Sequence, residues 1–422
     1  MKTSITTLST ALTLVAALPV AVAAQLPQAS AAALGMGYNM TASARGFAAV
    51  ANNPAGLGHP SSPDFSLAIP GLATEAGVGP VTLSDLVDWE GQVVPVSTKE
   101  DWLDRITASG GQTGLVGAGA TPIALSIGPV GFQLSAVAGG EMSLAPDAAE
   151  LLLFGNAGRT GTPGDFELAG SSLDGFVLST AALSYGLRVS PRLHLGVTGK
   201  YTMGNALIVG RDTGSMAGAN PLGVELQFPV VLPRTENSEH NHGTGIGFDV
   251  GALWEGPTFI LGATVQNVFH TFEWKLDHLS YIPGEALFNQ DTTTSDFDEQ
   301  PASDAPASML EVVAGRTIEP VYSVGAEWRP SSLLRLQGDI RKRASGGLEL
   351  GPEFHAGVGA ELSALSFLPL RAHFGVVSGG VQVGGGASLV LGPVNVSGAG
   401  ALRTREAENA MLGMLTLSFG AN

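Results

Sequence analysis

The 422 residues include eight histidines, 37 aspartates and glutamates, and no cysteine. Side-chain chemistry is therefore limited to imidazole, carboxylate, hydroxyl and amine. Without a thiol there can be no disulfide framework, zinc–thiolate centre or cysteine nucleophile. The densest ligand-bearing run is Glu239-His240-Asn241-His242. Two histidines at i, i+2 share one face of a strand, but the spacing specifies no third ligand for zinc. The run reads as solvated loop, and no metal or cofactor is expected. Asp291 to Asp304 (DTTTSDFDEQPASD) gathers carboxylates without a basic residue, and lacks the spacing and central glycine of an EF-hand. It reads as an acidic surface loop, with diffuse cation contact at a lipopolysaccharide surface as the alternative. There is no G-x-S-x-G elbow, and nothing sets a serine and an acid beside His194, His355 or His373. Enzyme activity is not expected.

The elements that must position these groups follow from composition and pattern. Charged residues make up 14% of the chain and hydrophobic ones 44%, with a formal charge of −17. The mean hydropathy is +0.25. A disordered chain is excluded, and a nucleic-acid partner is not expected at this charge. Lys2, the apolar run Leu8 to Val22 and the small residues Ala21-Val22-Ala23 have the form of a secretory signal peptide over 1–24, cleaved just before Ala24 or Gln25. Beyond it no run of ~18 apolar residues could cross a bilayer as a helix. A closed barrel, which satisfies its backbone by strand pairing, is the remaining way for so apolar a chain to face lipid.

Period-two alternation supports this. Leu334, Leu336 and Ile340 alternate with Arg335, Gln337, Asp339 and Arg341; Leu193, Leu195 and Val197 alternate with Arg192, His194, Thr198 and Lys200. Short Pro-containing turns (Gly128-Pro129, Ser190-Pro191, Gly256-Pro257, Arg329-Pro330, Leu368-Pro369, Gly392-Pro393) alternate with long polar connections near 144–174, 207–243, 271–318, 343–350 and 404–410. The pattern predicts an all-β, transmembrane, antiparallel up-and-down barrel of about 14 strands over 63–422. Outward burial of an ionisable group near the midplane costs ~2–4 kcal/mol, less for the acids. Arg192, His194, Lys200, Glu327, Arg335, Asp339, Arg341, Glu353, His355, Glu361, Arg371 and His373 are therefore expected in the lumen. Trp254 and Trp328 are expected in an interfacial belt. Helices are predicted at Thr41–Ala51 and, from a Ser97–Glu100 capping box, through Ile106.

Between the signal segment and the first strand lies LGMGYNMTASARGFAAVANNPAGLG, Leu34 to Gly58. Gly35-Met36-Gly37, a small-residue segment and Asn53-Pro54-Ala55-Gly56-Leu57 resemble the N-terminal region of the FadL/PorV-like family of bacterial outer-membrane β-barrels. STKEDWLDRI (97–106), LLLFGNAGRTGTPGDFELAG (151–170), LHLGVTGKYTMGNAL (193–207), GFDVGALWEGPTFILGATVQNVF (247–269) and VGAEWRP (324–330) extend the likeness along the chain. The resemblance implies a luminal plug over 25–62, with Arg45, Phe47, Asn52, Asn53, Pro54 and Gly56 as hatch elements. Arg45 would pair with Glu353, Glu361 or Asp339. It also implies passive uptake of a small hydrophobic molecule across the outer membrane, among outer-membrane lipid, with Phe269, Phe272, Trp274, Leu287 and Phe288 lining a capture groove. Two alternatives stay open: those apolar residues only fold the long loop over the barrel, or the protein is a PorV-like scaffold for a secreted or envelope protein.

Overall fold

The structure is a computed structural model that describes residues 27–219, 222–234, 241–289, 291–405 and 408–420. The expected signal segment 1–24 and His240 lie outside the described residues. Fourteen strands form the wall: β1 Phe65–Gly79, β2 Gln112–Ile127, β3 Val130–Leu144, β4 Ser172–Arg188, β5 Leu193–Arg211, β6 Gly243–Glu255 and β7 Phe259–His270, then β8 Val321–Trp328, β9 Leu334–Arg343, β10 Phe354–Leu362, β11 Leu370–Val377, β12 Gly380–Leu391, β13 Val394–Arg405 and β14 Glu408–Phe419. Each pairs antiparallel with the next, and β14 returns to β1, with Leu72 opposite Leu415 across the seam. Closure leaves no free edge in the wall. Pro70 and Pro122 lack a ladder N–H, and the register shifts between Ala68 and Gly71 and between Ala120 and Ile123 absorb them.

Alternation decides which face each side chain takes. In β5, His194, Thr198, Lys200 and Thr202 are buried while Leu195, Val197 and Tyr201 are exposed. In β9, Gln337 and Asp339 are buried and Ile340 is exposed. Ile246, Phe248, Val250, Leu261, Val324, Val358, Phe374 and Val383 continue an exposed apolar band around the outside, a surface that suits hydrocarbon. Trp254 and Trp328, both exposed, end β6 and β8 beside short turns, and Trp254 packs against Phe259 with ring centroids 5.6 Å apart.

The long connections carry their own structure. Between β1 and β2 come α3 Leu83–Val87 and α4 Val96–Ser109; α5 Pro146–Phe154 follows β3. (Two short helices, α1 Ala31–Gly35 and α2 Ala48–Ala51, precede the wall.) Trp102, Leu103 and Ile106 of α4 bury against Val81 and Ala149. The expected capping box at Ser97–Glu100 does not form. Pro95 occupies the N-cap of α4 with no side-chain cap, its fixed φ starting the helix before Ser97, and the capping box sits at Thr82–Asp85 on α3. α6 Ala307–Ala314 packs Met309 and Val313 against Leu207, Val209, Val231 and Leu279. A separate five-stranded sheet joins Phe166–Glu167, Met216–Ala219, Leu222–Gln227, Glu285–Asn289 and Thr293–Asp296. The acidic run thus contributes a strand to this sheet, Thr293–Asp296, and a second short one, Gln300–Pro301, that pairs with Leu279–Ile282, rather than loop throughout.

Two predictions follow from these contacts. Val358 lies at the middle of β10 on the outer face, so Val358→Arg should lower folding stability in lipid vesicles by ~2–4 kcal/mol, read from urea titrations with heat-modifiability on gels. In the first long connection, Arg105 donates to Asp85 at 2.6 and 3.1 Å and Thr82 N–H donates to it at 2.7 Å. The Arg105 hydrogen bonds, with Thr82, hold the Asp85 carboxyl well below its ordinary 3.8. A depressed folded value adds stability that is complete above 3.8 and is lost as pH falls towards the folded value. Asp85→Asn should therefore make the 80–111 connection more protease-sensitive at pH 7, with a difference from wild type that narrows below pH 3.8.

Candidate functional site

Residues 27–62 run inside the barrel and are buried over most of their length. Small residues make this possible: Ala31, Ala33, Ala42, Ala44, Ala49 and Ala55 are all buried. The expected Thr41–Ala51 helix is confined to Ala48–Ala51, because Thr41 is turned to the wall. Its N–H and Oγ1 both donate to Asp339 Oδ2, at 2.9 and 2.6 Å, and Gly46 takes φ +55°. Ala31 N–H donates to Thr416 Oγ1 at 2.8 Å. Arg341 Nη2 donates to the Tyr38 carbonyl at 2.8 Å, and burial pushes the Tyr38 phenol up to about 12. His355 Nε2 lies 3.1 Å from Asn39 Oδ1. His373 Nδ1 lies 3.2 Å from the Gly35 carbonyl, which fixes the proton there and leaves Nε2 to accept from Gln382.

The Asn-Pro-Ala-Gly turn is the tightest part. Asn53 Nδ2 donates to the carbonyls of Thr41 (2.8 Å) and Ala252 (3.1 Å), while Asn53 Oδ1 accepts from Ala55 N–H at 3.1 Å. The amide thus closes an Asx turn and ties it to β6. Pro54 lies against the backbone of Gly196 on β5, where a Cβ would approach Pro54 C within 2.2 Å; a Cβ on Gly56 would meet the Ala44 carbonyl at 2.1 Å. Phe47 packs with Ala29, Ala48, Ala68 and Ala124, and its N–H donates to Ser66 Oγ at 2.8 Å. Asn52 Nδ2 donates to Gln28 Oε1 at 2.6 Å. Arg45 does not reach Glu353, Glu361 or Asp339. Its guanidinium donates to Ser61 Oγ and to the carbonyls of Ala42 and Ala44, capping its own segment, and burial holds it down near 10.

The wall behind this segment is an ion-pair lattice. Lys200 Nζ lies 2.5 Å from Asp249 Oδ1 and also bonds Asn267. Glu361 bonds Arg371 at 2.7 Å and Arg335 at 3.4 Å. Glu327, buried, pairs with Arg329, with Arg335 3.8 Å away. Arg403 joins Glu75 and donates to Gln382 Oε1 at 2.9 and 3.0 Å. Nearer the long connections lies a cavity of about 260 Å³, lined by Glu75, Glu141, Asp174, Arg316, Glu349 and Arg403 on its polar side and by Phe176 and Leu207 among its apolar residues. Asp174 bonds Arg211 at 2.9 Å and Arg316 at 2.6 Å.

This geometry has counterparts among solved structures. The toluene transporter TodX of Pseudomonas putida superposes with a TM-score of 0.54 at 11% identity, covering 95% of this chain and 100% of that one. The fold is that of the FadL-like barrels. The toluene transporter TbuX of Ralstonia pickettii gives 0.53 at 13% identity (94% and 99% covered), and a Pseudomonas aeruginosa FadL homologue 0.53 at 12% (94% and 100%). These neighbours are named as transporters or by kinship to FadL, none as an enzyme. No family model matches the chain, and no curated protein matches it.

Within this FadL-like barrel two expected luminal charges lie elsewhere. Arg192 is exposed in the short turn before β5. Glu353 precedes β10, whose first residue Phe354 opposes Lys342; it turns outward to pair with Lys342 and Ser345. The five apolar residues offered as a groove separate. Phe272 and Trp274 meet edge to face at 5.1 Å and pack with Val137, Leu178, Ile318 and Leu348. Phe269 faces outward beside Phe248 at 6.3 Å, and Leu287 and Phe288 belong to the outer sheet. His242 Nδ1 lies 3.1 Å from the His278 carbonyl, so its proton is directed to backbone. Sequence reasoning passed over Glu75, Asp249, Asn39 and His59. The first two occupy the inward phase of β1 and β6, a legible signal; Asn39 and His59 depend on the path of 27–62, which alternation does not report.

Two substitutions test these contacts. Asp339→Ala leaves the N–H and hydroxyl of Thr41 unpaired in a buried site and should cost ~1–3 kcal/mol, read as thermal destabilisation with faster proteolysis inside 27–62. Lys200→Met strands Asp249 and should cost ~3–5 kcal/mol, with most of that recovered in Lys200→Met/Asp249→Leu.

Proposed function

We propose that the protein is an outer-membrane barrel, delivered by a cleaved signal over 1–24, through which small hydrophobic solutes pass without an energy source. In this reading residues 27–62 act as a movable plug. What supports it is the way the passage is filled. The inner segment adds no strand to the sheet and no covalent link; it is held by hydrogen bonds such as Thr41–Asp339, Asn53–Ala252 and Ala31–Thr416. Bonds of this kind exchange with water at a net ~0.5–1.5 kcal/mol each, so displacement is within thermal reach if they open in groups. The cavity above the segment presents Phe176 and Leu207 to an apolar solute beside paired charges. The neighbours named as toluene transporters favour an apolar cargo over a sugar or ion.

The experiment is reconstitution into lipid vesicles. Deleting 27–58 should raise solute permeability in swelling assays, and Asn53→Ala with Asp339→Ala should do so in part. The intact barrel should carry toluene into vesicles faster than protein-free controls. Unchanged permeability after deletion, in a barrel still heat-modifiable on gels, would remove the plug from the account. Stoichiometric co-purification with a secreted or envelope protein would favour the scaffold reading instead.

A further inference from the structure

Where the inner segment leaves the lumen at the short-turn end, three side chains from three elements converge. His59 follows the Asn-Pro-Ala-Gly turn, His194 is the second residue of β5, and Glu255 is the last of β6. Among the described residues this is the one group of three His, Asp or Glu ligand atoms drawn within 4.8 Å of one another. His59 Nε2 lies 3.4 Å from Glu255 Oε2, and His194 Nε2 lies 3.9 Å from the same oxygen. Ligands bound at ~2.0–2.1 Å around a tetrahedral ion stand ~3.3 Å apart; the two sides to Glu255 are near that, and the third is within 4.8 Å, so the triangle must contract by no more than ~1.5 Å at its widest side.

His194 is poised as a ligand, and His59 becomes one by a change of tautomer. The side chains of His59 and His194 are 5% and 0% exposed, yet neither Nε2 has a hydrogen-bond partner. A buried polar atom left unpaired costs free energy and calls for an explanation. His194 Nδ1 lies 3.0 Å from the Gly58 carbonyl; only a protonated Nδ1 can make that contact, so the Nε2 lone pair is free and aimed at the cluster. This is the outer-shell arrangement of ligating histidines. His59 Nδ1 lies 2.8 Å from Ser61 Oγ and accepts from Ser61 N–H at 3.1 Å. Because Nδ1 accepts from Ser61 N–H, the neutral ring carries its proton on Nε2; binding a metal through Nε2 moves that proton to Nδ1, which gives up the Ser61 N–H bond and donates to the Ser61 hydroxyl instead. Arg45, Arg188 and Arg329 around His59 oppose a cation held by charge alone. They disfavour calcium and magnesium and leave ions that bond imidazole directly.

We propose that His59, His194 and Glu255 form a binding site for a zinc-class transition-metal ion that pins the end of the inner segment to β5 and β6. Three protein ligands leave a fourth position for water, reached from the side where Glu255 is 39% exposed. The proposal is independent of whether the barrel transports anything.

The test uses the full-length protein in detergent, stripped with a chelator. Zn²⁺ titrated calorimetrically should bind at one ion per chain, and Co²⁺ should give the intense visible absorption of a four-coordinate ion. His59→Ala, His194→Ala and Glu255→Gln should each weaken Zn²⁺ by more than the ~10–100-fold typical of losing an outer-shell partner; Ser61→Ala should weaken it less. Heat-modifiability checks that each variant is folded. If a histidine variant fails to fold, Glu255→Gln at its exposed strand end and the wild-type Co²⁺ spectrum still decide. No saturable binding, a weak six-coordinate Co²⁺ spectrum, or Zn²⁺ affinity unchanged in folded variants would overturn the site.

Discussion

Everything in this molecule turns on the pairing of charge inside a space too narrow for bulk water. Once alternation sends apolar side chains outward, the charged groups away from the strand ends are directed to the interior, where an unpaired charge is costly. The wall meets this by cross-strand pairing: Lys200 with Asp249 from β5 to β6, Glu361 with Arg371 from β10 to β11. Where a charge has no complete partner in the wall, the inner segment supplies one. Asp339 takes two donors from Thr41 and Arg341 takes the Tyr38 carbonyl. The segment is therefore both filler and hydrogen-bond partner to wall charges, and barrel and interior are mutually dependent in stability.

The same dependence explains the composition of the segment. A chain threaded beside glycines such as Gly196 and Gly251 must be thin, because a Cβ at those wall positions would collide with Pro54 or Asn53. Alanine and glycine meet the steric demand; Asn39, Thr41 and Asn53 meet the polar one with short side chains. Helix is the casualty. Of the expected Thr41–Ala51 helix only Ala48–Ala51 is α-helical, since Thr41 gives its donors to Asp339 rather than to a helix N-terminus. Local propensity yields to the wall's demand for partners.

How far the fold was legible follows from the same physics. Strand existence and order could be read from period-two alternation and turn residues because the wall is one residue thick and each side chain chooses between two faces. Arg192 and Glu353 mislead for that reason: both continue the inward phase by parity but sit just beyond a strand end, where pleating no longer dictates direction. The groove residues failed differently. Phe272 and Trp274 pack inward with Val137 and Leu178 while Phe269 points out beside Phe248, as period-two parity places 269 opposite 272 and 274. Asn39 and His59 were hidden most deeply, since their neighbours come from strands more than a hundred residues away along the chain.

The two ends of the interior differ in how firmly they are held. At the short-turn end, Pro54 and Gly58 press against the backbone of Gly196 and Gly186, and His194 bonds the Gly58 carbonyl, so movement there has to break steric interlock as well as hydrogen bonds. Towards the long connections, the charges of Asp174, Arg316 and Glu75 surround open volume rather than packed chain, and the contacts of Leu34 with Ala73, Ala401 and Leu412 are apolar and interchangeable.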